Sequence, residues 1–173
     1  MAIKMFNRIR NILKKKEIKE NKLPTVKSDV EEFLSEKDVV KQINIIKEKY
    51  NHLIFNDKDI IKGMRSWFDL RLSGDALRNL NREVSDGEIN SALLWLSSRC
   101  NYIYRSNRSI SIGITEARWI SSNCCGYKGN DKFHDKFHGM IFNLKDGLVY
   151  QGKVYYPGCC EYCKCGYKSI LPF

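Results

Sequence analysis

Trp119-Ile-Ser-Ser-Asn-Cys-Cys125, Phe133-His-Asp-Lys-Phe-His-Gly-Met-Ile-Phe142 and Tyr156-Pro-Gly-Cys-Cys-Glu-Tyr-Cys-Lys-Cys165 hold six of the chain's seven cysteines and two of its three histidines. Thiolate and imidazole are the side chains best suited to Zn²⁺. The N-terminus lacks the apolar core and small-residue cleavage site of a secretory signal, so reduced thiols and a metal are expected before disulfides. Cys160 and Cys163 form a CxxC pair whose tight turn aims two sulfurs at one point, and Cys163-Lys-Cys165 offers an overlapping second choice. Upstream, an extended segment presents only one of Cys124 and Cys125 to a common centre. His134 and His138 are four apart and would share a face on a helical turn.

The preferred ligand set is Cys125, His134, Cys160 and Cys163, with Cys165 competing for a place. Cys124, His138 and Cys159 are held in reserve. A structural Zn²⁺ is expected over a catalytic one. The acidic neighbours Asp131, Asp135 and Glu161 fall in neither an HExxH nor an HxE…PCxxC pattern. Two other pairings are open: disulfides in an assembled particle exposed to oxidant, and a Cys125–His134 nucleophilic couple, for which metal ligation is the better fit.

Working outward, Arg118-Trp-Ile-Ser reads as a strand, Met140-Ile-Phe and Leu148-Val-Tyr as a hairpin about Asp146-Gly147, Lys153 to Tyr156 as a further strand and Ser169 to Phe173 as an edge strand. Ile110, Ile112 and Ile114 alternate as one more. Before Ser109 the apolar period is helical: about 36–50, then 57–72, a break at Ser73-Gly-Asp, a short helix stopped by Asp86-Gly87, and 88–104, in which Cys100 sits on the apolar stripe. Ser28 or Ser35 would cap the first of these. The fold class is α+β, with a basic amphipathic arm and linker over 1–27, a helical region over 28–108 and a Cys/His-rich small β domain over 109–173.

The net charge of +10 points to an acidic partner: nucleic acid, an anionic membrane or an acidic protein surface. No run approaches the 18 apolar residues of a membrane span, and no membrane partner is expected. P-loop, GxGxxG, GxSxG and kinase patterns are all missing.

Arg118-Trp-Ile-Ser-Ser, a Cys-bearing loop, His134-x-x-Phe137-His138-Gly139-x-Ile141-Phe142, Tyr155-Tyr-Pro-Gly, Cys163-Lys-Cys165 and the terminal Leu171-Pro172 together resemble the C-terminal domain of phage Mu F-like minor head proteins. The resemblance spans 118–173, and His134, Gly139, Cys163 and Cys165 are the matched positions. It implies a non-enzymatic virion component in the capsid or neck, present in the host cytoplasm during assembly. Its implied partners are portal or capsid proteins and packaged DNA, with multiple copies per particle and the basic arm as a docking segment. The rival expectation is a free nucleic-acid-binding protein of zinc-ribbon type, with Tyr102, Tyr104, Tyr127, Tyr155, Tyr156 and Tyr167 stacking on bases.

Overall fold

The computed structural model describes residues 29–126, 129 and 131–172. The arm and linker of 1–27, the Ser28 cap and Tyr127 lie outside them. Among the described residues five helices come first: α1 (Asp29–Phe33), α2 (Glu36–Lys49), α3 (Asp57–Arg65), α4 (Leu70–Leu80) and α5 (Asp86–Ser111). Five short strands follow: β1 (Glu116–Ile120), β2 (Ile141–Asn143), β3 (Leu148–Tyr150), β4 (Lys153–Tyr155) and β5 (Gly166–Ser169). A 3-10 turn at Phe133–Phe137 lies between β1 and β2. The α+β expectation holds.

Ser35 starts α2 through a capping box: its hydroxyl accepts from the Asp38 N–H at 3.2 Å and the Asp38 carboxylate accepts from the Ser35 N–H at 3.1 Å. The expected helix over 57–72 is interrupted instead. Trp67 and Phe68 take left-handed backbone, and the Asp69 carboxylate accepts from the N–H groups of Arg71 and Leu72 to start α4. That helix then runs through Ser73-Gly74-Asp75, where a break was expected. Ser73 is buried where α3 and α4 meet, and a Cβ on Gly63 would lie 2.2 Å from its hydroxyl. These small residues are present for close approach, not for a turn.

α5 departs furthest from expectation. Ser85 caps it, so Asp86-Gly87 opens this helix and does not close the one before. It continues past Tyr104 because Tyr102, Ser106 and Ile110 step by four along one face, which packs against the β part. The alternation of Ile110, Ile112 and Ile114 is therefore not a strand; Ile112 is exposed and the first strand starts at Glu116.

β1 is the centre of an antiparallel sheet ordered β2-β1-β5, and β3 pairs with β4 in a separate hairpin. Asp146-Gly147 does turn the chain between β2 and β3, but those strands ladder with different partners. The last strand is Gly166–Ser169, earlier than expected, which turns Tyr167 inward beside Trp119.

Two apolar clusters result. One joins α1–α5 through Leu34, Ile43, Ile46, Ile60, Met64, Leu77 and Leu96. The other gathers Trp119, Phe137, Phe142, Leu144 and Tyr167 under the second half of α5. Cys100 belongs to the first cluster and burial pushes its thiol up to about 12 from an ordinary 9.0. The raised value means its contribution to stability is intact below the unfolded pKa of 9.0 and is lost as pH climbs towards about 12. Native protein at neutral pH is expected to leave Cys100 unalkylated by a maleimide, as intact-mass spectrometry would read, with labelling appearing only after denaturation.

Candidate metal centre

β1 delivers the chain to a loop in which Cys125 is buried at the centre while Cys124 is half-buried. The 3-10 turn then presents His134. With three residues per turn, positions i and i+3 share a face. His134 and Phe137 are accordingly buried together, while His138 rotates outward and its Nδ1 accepts from the Ser121 N–H. The α-helical spacing assumed for His134 and His138 is thereby corrected, and His138 is not in the cluster. From the other side, the segment after Pro157 brings Cys163 and Cys165.

The donor atoms of Cys125, His134, Cys163 and Cys165 all lie within 4.8 Å of one another. Cys125 Sγ is 3.3 Å from Cys165 Sγ, and His134 Nδ1 is 3.4 Å from Cys163 Sγ and 3.8 Å from Cys165 Sγ. A tetrahedral zinc with its usual bond lengths separates two sulfurs by about 3.7 Å and a sulfur from a nitrogen by about 3.5 Å. The two sulfur–nitrogen edges bracket the second value, and the sulfur–sulfur edge is shorter than the first. This Cys/His cluster has the shape to hold one metal ion.

Cys160 meets His134 as expected but lies outside the group of four, where Cys165 takes its place. Its sulfur lies 3.7 Å from Nε2 of His134, on the far side of the ring from the other three, and with Cys159 it forms a second group around that nitrogen. One imidazole nitrogen can face the ion while the other donates to an acceptor. With Nδ1 towards Cys125, Cys163 and Cys165, Nε2–H is left for Cys160. Cys124 joins neither group among the described residues.

Backbone donors support the sulfurs. The Gly158 N–H donates to Cys163 Sγ at 3.3 Å and the Lys164 N–H to Cys125 Sγ at 3.4 Å, favouring the thiolate form that a metal requires. Gly158 has φ +81° and a Cβ there would stand 3.0 Å from the Ser98 carbonyl oxygen, so glycine alone lets this amide reach the sulfur. Trp119, Phe133, Phe137 and Tyr155 ring His134 at 5.6, 5.6, 5.7 and 6.3 Å and keep water from it.

Hydrogen bonding to Cys159 and then to Cys160, Cys163 and Cys165 drives the His134 pKa up, against its burial. The Cys159 thiol is lowered to about 6, chiefly by its bond to Cys160, while Cys165 is raised to about 11 by its bond to Cys163 and by burial. His134 and Cys165 are thus shifted towards their protonated forms and Cys159 towards its thiolate.

No protein-family model, curated protein or solved structure matches the chain. No described helix is long and apolar enough to cross a membrane.

The acids near the cluster are engaged elsewhere. Asp131 accepts from the Phe133 N–H, Asp135 from the Ser121 hydroxyl, and Glu161 from Lys49 and Tyr50 on the helical side. A residue that sequence reasoning missed is Arg99. It is buried and donates to Gln42 Oε1 at 2.7 Å, the Cys159 carbonyl at 2.7 Å and the Tyr156 hydroxyl at 2.9 Å. It ties the cysteine loop to α2 and α5. Its one signal in the sequence was a charge on the otherwise apolar stripe beside Cys100. The tyrosines expected to stack on bases are placed otherwise: Tyr102, Tyr104 and Tyr167 are buried, and Tyr155 and Tyr156 are half-buried.

Proposed function

We propose that the chain is a non-enzymatic phage virion component of the minor head, or head-morphogenesis, type. In this reading a structural Zn²⁺ is held by Cys125, His134, Cys163 and Cys165. The observation that carries it is the behaviour of the four positions matched by the Mu F-like resemblance. His134, Cys163 and Cys165 converge on one point, and Gly139 takes a left-handed φ of +84° at the bend before β2. Three thiolates with one imidazole and no oxygen donor suit Zn²⁺ over the harder divalent ions. When bound, the ion would supply cross-linking between the β1 loop and the Cys163–Cys165 segment. Four protein ligands leave no position for substrate, as in sites that hold structure.

Charge distribution supports contact with DNA. Residues 1–28 carry nine Lys/Arg against two Asp/Glu, 29–90 carry ten against thirteen, and 91–173 carry eleven against five. The basic excess sits in the arm and the β half. The same distribution favours the second reading, a free zinc-ribbon-like protein that binds nucleic acid without a particle. Particles purified from the producing host decide between them. Mass spectrometry is expected to find the chain in virions at several copies, next to portal or capsid protein. Its absence from virions, with tight DNA binding by the purified chain, would select the second reading. Deleting residues 1–20 is expected to abolish incorporation while leaving the far-UV circular dichroism of the remainder unchanged; unimpaired incorporation would remove the arm's docking role.

A further inference from the structure

Beside the metal ligands, one face of α5 and the segment 157–167 enclose a cleft of about 170 Å³. Ser98, Asn101, Tyr102 and Arg105 recur at i, i+3, i+4 and i+7, so they line its helical wall as one stripe. The opposite wall carries Gly158, Lys164, Gly166 and Tyr167, together with Cys163 and Cys165 of the metal cluster.

We propose that this cleft is a phosphate site that holds the backbone of a nucleic-acid strand. The charge pattern is the first reason. Arg105 and Lys164 line the same small space and no carboxylate does. Several other described cations are paired: Arg65 with Glu36, Arg78 with Asp75 and Asp86, Lys47 with Asp57 and Lys49 with Glu161. The side-chain nitrogens of Arg105 and Lys164 make no hydrogen bond or ion pair among the described residues. Two like charges facing one hollow repel unless an anion lies between them.

The second reason is the presentation of Arg105. Its guanidinium lies over the Tyr167 ring, 4.9 Å from the centroid. Stacking on an aromatic face orients the planar fork and leaves its N–H edge for an acceptor, the geometry in which arginine meets phosphate. The third is Tyr167 itself, whose buried hydroxyl has no hydrogen-bond partner among the described residues. A buried donor without a partner is what a bound acceptor or ordered water satisfies. The cleft is smaller than the roughly 300–1,000 Å³ of drug-like pockets. It suits one phosphate group, with the rest of the strand running over the surface.

The choice of a nucleic acid as the source of that phosphate rests on the proposed DNA-proximal role. The site also depends on the metal cluster, because Cys163 and Cys165 shape one wall.

The test uses the full-length protein. In a ¹⁵N correlation spectrum, 5′-phosphorylated trithymidylate is expected to shift the Gly158, Lys164 and Gly166 amides and the Arg105 Nε–H; shifts confined to basic residues elsewhere would overturn the site. In fluorescence anisotropy with a 20-nucleotide single strand, Arg105→Gln and Lys164→Gln are each expected to weaken binding several-fold. Each should also lower the salt slope by about 0.7, the share of one phosphate contact on single-stranded DNA. Both residues are exposed, so metal content and helicity should match the parent and exclude misfolding as the cause. Unchanged affinity and slope in the double variant would overturn the proposal. Stronger shifts of the same residues by an oligoglutamate peptide would overturn it too, transferring the cleft to an acidic protein partner. Failure of the broader reading looks different: parental DNA binding that responds to both substitutions, in a chain that virions lack.

Discussion

Cys163→Ser is expected to release the metal and unfold the β half while much of the helical half persists. Cys163 is 6 % exposed, its sulfur is 3.4 Å from His134 Nδ1 and it receives the Gly158 N–H. The serine hydroxyl is a poor replacement for thiolate as a zinc ligand. The strands it secures are three to five residues long and present little apolar area. Structural zinc contributes about 10–16 kcal/mol in small zinc domains, against a whole-domain stability of about 5–15 kcal/mol. Losing even part of that contribution is large against such a margin. The helical cluster has its own buried residues from α1 to α5 and does not include the metal ligands. Near-UV circular dichroism should therefore collapse, far-UV helicity should fall by less, and bound metal should disappear. Cys124→Ser should do none of this. Cys160→Ser should keep the metal at reduced affinity, by about 10–100-fold, as when an acceptor for a ligating histidine is lost.

Trp119→Ala carries the second largest expected effect, about 3–5 kcal/mol in urea-denaturation stability. Trp119 is fully buried on the central strand and meets Phe137 at 5.2 Å, His134 at 5.6 Å and Phe142 at 5.8 Å, each edge to face. The cavity left by its removal lies beside the imidazole, so metal affinity should fall along with stability. Trp119→Phe keeps most of the apolar volume and should cost less. Equal losses from the two variants would show that ring size at this position does not matter.

The order of helices then strands was readable because apolar period separates the two halves cleanly, and Ser35-x-x-Asp38 announces its own cap. What misled was residue chemistry with two uses. Ser73-Gly74 reads as a breaker but serves a close helix crossing, and Asp86-Gly87 reads as a stop but follows the cap of α5. The three isoleucines after Ser109 alternate by accident, whereas the four-residue step from Tyr102 to Ile110 obeys the packing. In the metal cluster the residue types and the two chain segments were legible. The choice among neighbours was not, because it depends on a 3-10 turn that separates His134 from His138 and on which ring nitrogen faces which sulfur. Arg99, Arg105 and Lys164 acquire meaning only when α5 and the 157–167 segment come together.

The most direct measurement is X-ray absorption at the zinc edge on the purified full-length protein, with metal content determined on the same sample. About one zinc per chain, with three sulfurs near 2.3 Å and one nitrogen near 2.0 Å, is the expected result. A protein free of metal with Cys125, Cys163 and Cys165 titrating as ordinary thiols or joined in disulfides, or a zinc surrounded by oxygen, would contradict it.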